Sequence, residues 1–335
     1  PFSVDNHELF ASVSVGIAVS IPTDVTIADL LRRADVALYR SKADGKARFT
    51  LYHSGLDDVS IDRLDLDTAL RRAVERGQLL LHYQPEIDLE TGRVIGVEAL
   101  LRWDHPHRGI LSPIDFISLA EETGEIVNIG KWVLEESCRQ AVILNAAAGP
   151  GADLVMAVNI SAAEFREPDL VRRVEDILAE TGLPAGNLKL EITESVLMDN
   201  LQAAMGVLGQ LKLLGVRVAI DDFGTGYSSL SYLKQLPVDT LKIDQSFIAD
   251  LGRDDRSPSI VGAIVRLGEG LKLEVTAEGI ETAEQLDFVR RLGCGRGQGN
   301  YFSLPVDSET IVELLSHHPE PIRRPMRIPG LRRSA

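Results

Sequence analysis

The chain has 335 residues, 44% of them hydrophobic and 25% charged, values that fit a folded soluble protein and exclude a disordered or collagen-like chain. The two cysteines, Cys138 and Cys294, lie outside any CxxC pair, which argues against a disulfide scaffold or a thiolate zinc site and predicts reduced thiols in a cytoplasmic protein. The net charge is −15, and five arginines with no acid in the last fifteen residues leave about −20 on the rest, a field that repels a nucleic-acid polymer.

No run approaches the ~20 apolar residues that span a bilayer, and PFSVDNHELF lacks the basic flank and apolar stretch of a signal peptide, so membrane attachment is expected only through regions upstream of this chain. From residue 10 to 20 small and apolar residues alternate like a strand. The stretch DVTIADLLRRADVALYRSKADGKARF then carries Leu30, Leu31, Ala34, Val36, Ala37 and Leu38 at helical spacing, with Thr26 as its N-cap. A short strand, ARFTLYH, follows. One helix and two strands cannot close a core, so residues 1–53 read as a partial α+β fragment. Residues 54–68 are polar and acidic and read as a linker running into a helix near 67–76, and the basic, proline-bearing residues 317–335 read as a tail.

Between them, residues 69–316 alternate short β-rich runs with amphipathic helices. Strands are predicted near 80–88, 95–102, 154–160, 187–193, 216–221, 239–243, 273–277 and 297–302. Helices are predicted at FISLAEETG, IVNIGKWVLEESCRQAVIL, LVRRVEDILAETG, LQAAMGVLGQLKLLG, IVGAIVRLGEGLK, AEQLDFVRRLG and SETIVELLSHH, several ending at a glycine suited to a left-handed C-cap. This pattern predicts an α/β fold, a (β/α)8 barrel. Its first connection reads as a hairpin through ETGR, so one strand should run antiparallel to the rest.

In such a barrel the active site forms at the C-terminal strand ends. Those ends carry Glu98 and Arg102, Asn159, Glu191 and Glu194, Asp221 and Asp222, Lys242 and Asp244, Glu278 and Glu281, and Gln298. A single acid there is commonly a rim residue or a helix cap. Glu98, Asn159, Glu191, Asp221 and Asp222 together, each after an apolar stretch, would repel one another and resist desolvation unless cations balance them. Their oxygen ligands suit two hard ions, Mg²⁺ or Mn²⁺, with the adjacent aspartates as a bridge, an arrangement used for attack of water on a phosphoester. Lys242 and Arg102 are placed to hold phosphate charge, although Lys242 has Asp244 as an alternative ion-pair partner. The loop GTGYSS after the aspartates lacks the Walker ending and is a weak phosphate-cradle signal. His105 and His107 read as surface loop residues, and His317 and His318 as partners of a helix C-terminus.

The strings EALLRW at Glu98, NIS at Asn159, EITE at Glu191, DDFGTGYSSLSYL at Asp221, KID at Lys242, AEGIE at Glu278 and QG at Gln298 occur in order, and in them the chain resembles the EAL domain, the cyclic di-GMP phosphodiesterase domain of bacterial signalling proteins. The resemblance implies hydrolysis of cyclic di-GMP to linear pGpG. It implies that Glu98, Asn159, Glu191, Asp221, Asp222 and Glu278 bind the two ions, with Glu98, Lys242 and Glu278 in the catalytic network and Lys242 orienting the attacking water. It further implies that Arg102 contacts phosphate, that Gln84, Leu101, Glu281 and Gln298 line the nucleotide pocket, that Glu194 holds the DDFGTGYSS loop, and that the barrel forms a homodimer. Leu304 stands where the family commonly has a basic residue.

Residues 1–53 resemble the C-terminal third of a GGDEF (diguanylate cyclase) domain, best in ADVALYRSK, with Lys46 in place of the usual arginine. The GGDEF signature itself is absent, so no cyclase activity is expected, and the fragment suggests a longer sensor protein. Two other readings compete: a catalytically silent cyclic di-GMP receptor, and a barrel of the enolase type in which acids hold Mg²⁺ and a lysine abstracts a proton.

Overall fold

A computed structural model of the chain describes residues 2–4, 7–9, 13–19, 26–43, 48–53, 66–149, 151–225, 230–251 and 257–317. The chain forms two compact units, Pro1–Arg72 and Ala73–Ala335.

In the first unit β1 (Phe2–Val4) and β2 (His7–Leu9) make an antiparallel pair, which the sequence pattern did not suggest. β3 (Val15–Ile17) and β4 (Phe49–Leu51) pair in parallel, with α1 (Ile27–Ala43) as the crossover between them. Thr26 starts this helix as expected: the Asp29 amide donates to its Oγ1 and its own amide donates to Asp29 Oδ2, both at 3.2 Å. Gly16 is required by packing, since a Cβ there would lie 2.0 Å from the Ala34 carbonyl oxygen on α1. The core of this unit is small, with Val36 and Ala37 buried and Tyr52 packed on them. The proposed linker falls mostly on residues 54–65, outside the described residues.

The second unit is the (β/α)8 barrel. Its strands are β5 (Leu79–Asp88), β6 (Val94–His105), β8 (Val155–Asn159), β9 (Leu188–Thr193), β10 (Arg217–Phe223), β11 (Thr240–Ile243), β12 (Glu274–Ala277) and β13 (Arg296–Gly297). β5 pairs with both β6 and β13, which closes the sheet, and it is antiparallel to both while the other barrel neighbours run parallel. The antiparallel strand follows from the hairpin, where Gly92 takes φ 74° in the turn.

An additional strand, β7 (Gly109–Leu111), extends β6 outward and was not foreseen. It corrects the reading of His105 as a surface residue: the ring is 7% exposed, packs edge-on to Trp103 with centroids 5.0 Å apart, and accepts the His107 amide at 3.2 Å. The strand predicted at 297–302 also shrinks to two residues. After Gln298, whose amide donates to the Ala277 carbonyl, Gly299 takes φ 151° and the Phe302 amide turns back to Gly299. His318 lies outside the described residues.

Strand residues are buried on both faces, as parallel barrels require. In β9, Leu188, Leu190 and Ile192 are 0–1% exposed on one face, while Lys189 and Glu191 are 1–2% exposed on the other. The enclosing helices end as the sequence suggested, with Gly124, Gly182 and Gly215 in left-handed C-caps. Both cysteines are free and buried, and burial pushes the thiols up, Cys138 to about 12 and Cys294 to about 11. No described helix is long and apolar enough to cross a membrane.

Candidate active site

Lys242, 1% exposed on β11, organises the C-terminal mouth of the barrel. Its ammonium lies 2.5 Å from Glu278 Oε1, 3.3 Å from Glu98 Oε2 and 3.5 Å from Asp221 Oδ1, and it donates to Glu191 Oε2. It does not pair with Asp244, which instead caps the helix Gln245–Ala249 by accepting from the Ser246 amide at 3.0 Å. Four carboxylates from four strands or strand ends therefore meet one cation.

Glu98 is further held by amides. Asn159 Nδ2 and Gln298 Nε2 each donate to it at 2.7 Å, and Gln298 Nε2 also donates to Gln84 Oε1 at 3.1 Å. Gln84 Nε2 passes the chain on to the Ser303 carbonyl at 3.0 Å and to Asn300 Oδ1 at 3.3 Å.

The adjacent aspartates need a local explanation, because successive strand side chains point to opposite faces. The β10–β11 register slips between Ile220 and Phe223, and Asp222 takes φ 53°, which few non-glycine residues adopt. This bulge brings both side chains to the mouth: among the described residues, Asp221, Asp222 and Glu278 have carboxylate oxygens within 4.8 Å of one another. The Asp222 amide donates to Asp221 Oδ1 at 3.0 Å. Beyond the bulge Gly224, at φ 102° and close against Phe247, donates its amide to Glu194 Oε2 at 3.1 Å. Glu194 is 3% exposed and ties down the start of the loop; residues 226–229 lie outside the described residues.

The electrostatics register an excess of negative charge. Burial pushes the Glu191 carboxyl up to about 8, with Glu98 and Asp221 adding to the shift against Lys242 and Lys189. Burial and then Asp221 push Asp222 up to about 6. Burial raises Glu278 well above the usual carboxylate range, and the neighbouring acids reinforce this. Glu98 goes the other way: burial opposes ionisation, but Lys242 and the two amide donors outweigh it. For Lys242, burial favours the neutral amine and the four carboxylates override it. One ammonium does not neutralise five acids. The all-oxygen donor set, three of its members already in close approach, fits divalent cations of the hard type.

A cavity of about 190 Å³ opens over this cluster, lined by Gln84, Glu98, Asp221, Glu278, Glu281 and Gln298 among others. Gln245, Gly279 and Asn300 also line it and were not singled out from the sequence, although Gln245 directly follows the KID string and Asn300 lies two residues after Gln298. Arg102 and Leu101 are not in the lining. Arg102 is half-buried and donates to the Leu101 carbonyl at 2.7 Å, and Leu101 is 8% exposed.

The EAL domain family matches residues 67–305. Among curated proteins the chain is 44% identical over 312 residues to the bifunctional diguanylate cyclase/cyclic di-GMP phosphodiesterase MucR of Pseudomonas aeruginosa, a match covering 93% of this chain and 45% of that protein. The chain thus spans less than half the length of that relative. Among solved structures, the MucR phosphodiesterase in complex with c-di-GMP superposes with a TM-score of 0.71 at 48% identity, covering 73% of this chain and 98% of that one. The EAL enzyme Bd1971, bound to cAMP and cyclic di-GMP, superposes with a TM-score of 0.74 at 34% identity, covering 88% and 77%. With this fold, these strings and this ring of acids, the chain belongs to the EAL domain family.

Proposed function

We propose that the barrel hydrolyses cyclic di-GMP to linear pGpG with two Mg²⁺ or Mn²⁺ ions. Water adds to one phosphorus, the bond from that phosphorus to the 3′ oxygen breaks, and a proton from the water ends on that oxygen. The observation that carries this reading is the undiminished acid set: Glu98, Glu191, Asp221 and Glu278 within 3.5 Å of one lysine, with Asp222 beside them. In this reading those five acids and Asn159 hold the ions, whose contribution when bound is to activate water and neutralise phosphate charge. Lys242 aligns the attacking water and Glu278 and Glu98 complete the proton network. Arg102 turns from its own strand to a phosphate, while Gln84, Leu101, Glu281 and Gln298 contact the nucleotide. The MucR and Bd1971 complexes support the ligand class.

The same reading takes residues 1–53 as the end of a GGDEF domain, consistent with its β–α–β crossover, residues 54–68 as a linker, 69–316 as the enzyme and 317–335 as a tail. It places a homodimer of the barrel in the cytoplasm. Incubating the purified chain with cyclic di-GMP and Mg²⁺ and separating the products by chromatography tests the proposal. Accumulation of pGpG that EDTA stops is expected. Tight binding of cyclic di-GMP that stays intact would make the protein a receptor instead.

A further inference from the structure

Directly below the acid ring, the barrel interior holds a second buried charge pair that the proposed reaction does not use. Lys189 on β9 and Glu86 on β5 are 2% and 3% exposed, and their head groups meet at 2.7 Å. Thr276 on β12 donates to the other Glu86 oxygen at 2.7 Å. The strand partners of both are small: Gly96 stands opposite Glu86 across the β5–β6 hairpin, and Ala157 stands opposite Lys189 on β8. A barrel layer is ordinarily filled by bulky branched residues, so a charged layer here is a departure from simple packing.

Its upward contact is specific. Glu191 turns Oε2 to Lys242 and Oε1 toward Lys189, whose ammonium lies 3.5 Å away, and that buried Oε1 has no hydrogen-bond partner. Each oxygen of Glu191 is thus faced by a different lysine. Because Glu86 is itself held by Thr276, the Lys189 ammonium has little freedom to leave. We propose that Lys189, anchored by Glu86 and Thr276, is a positioning residue that fixes the carboxylate plane of Glu191 for divalent-cation binding. This rests on the reading of Glu191 as a metal ligand. Partners of metal ligands commonly change affinity or activity about 10–100-fold when removed.

The test is Mn²⁺ binding to the full chain, followed by electron paramagnetic resonance of the free ion, in wild type, Glu191→Gln and Glu86→Gln/Lys189→Met. The double variant removes both charges of the pair and so leaves neither one orphaned in the barrel. It is expected to keep a cooperative melt and to bind Mn²⁺ about 10-fold or more weakly. With cyclic di-GMP as substrate, kcat should fall at subsaturating Mn²⁺ and recover as Mn²⁺ is raised, a metal dependence that loss of folded protein alone would not mimic. If Glu191→Gln binds Mn²⁺ like wild type, the metal-ligand reading itself fails. If Glu191→Gln weakens binding and the double variant does not, the positioning role of Lys189 is wrong. Should the double variant lose its cooperative melt, Thr276→Val, which keeps both charges and removes only the anchor, carries the same test: a weaker Mn²⁺ affinity supports the role and an unchanged one overturns it.

Discussion

Removing divalent cations should make the stability of the barrel fall as pH rises, and the slope should pass through Glu191. This carboxyl is 1% exposed and burial holds it at about 8 against an ordinary 4.5, so the folded state binds its proton more tightly than the unfolded state does. A raised pKa contributes stability that is complete below about 4.5 and is lost as pH climbs toward about 8. At ~1.4 kcal/mol per pH unit, that window corresponds to a ceiling of about 5 kcal/mol. Between pH 5 and 8 the loss is about 3–4 kcal/mol, which for a barrel of this size, at ~2–4 °C per kcal/mol, is on the order of 10 °C in Tm. Glu278 acts in the same direction, and Asp222, being half exposed, adds less because solvent screens it. Lys242, held above its usual value, stays charged throughout and adds no slope.

The assay is thermal unfolding in EDTA at several pH values, followed by tryptophan fluorescence, since Trp103 and Trp132 both lie in the barrel unit. Glu191→Gln should reduce the slope, with Glu278 supplying what remains. Saturating Mg²⁺ should reverse it, because cations bind the deprotonated acids. A metal-free wild type as stable at pH 8 as at pH 5, or a Glu191→Gln variant with the wild-type slope, would show that Glu191 does not carry this proton linkage.

Further expectations concern other parts of the site. Glu98→Ala or Asp221→Ala should lower cyclic di-GMP turnover by at least about 10³-fold while leaving a cooperative melt, which steady-state kinetics beside calorimetry would check. Glu86, kept at about 2 because Lys189 and its hydrogen bonds outweigh its burial, contributes stability that is present above about 4.5 and lost as pH falls toward 2. Acid unfolding in Glu86→Gln/Lys189→Met should therefore lose a component in that window. Gly224→Ala, at φ 102° and close against Phe247, should cost about 1–3 kcal/mol in urea unfolding. Glu194→Ala, by freeing the Gly224 amide, should speed hydrogen exchange at residues 223–225.

Much of this architecture was legible in the sequence because barrel strands and helices have different periods and because the mouth collects one polar residue per strand end. Glu98, Glu191, Asp221, Lys242 and Glu278 converge as the strand-end pattern implied. Asp222 was legible as a neighbour of Asp221, but its arrival on the same side depends on a bulge and a positive φ that no periodicity encodes. The Glu86–Lys189 layer was missed because a charged residue two places before a strand-end acid looks like ordinary alternation. Its signal is that positions 84 and 86 on β5 and 189 and 191 on β9 are polar at period two, with apolar residues between. The loss of strand character after Gln298 followed from the turn at Gly299, and His105 was misplaced because β7, which extends the sheet beyond β6, has only three residues.

Whether the acids around Lys242 hold divalent cations where the phosphodiester would be opened can be seen by anomalous scattering from a crystal grown with Mn²⁺ and cyclic di-GMP. Two Mn²⁺ peaks are expected among Glu98, Asn159, Glu191, Asp221, Asp222 and Glu278, with a phosphate of the nucleotide against them. Full nucleotide occupancy with no peak at those residues, or with Lys242 still closing the ring of carboxylates, would contradict that role for the acids.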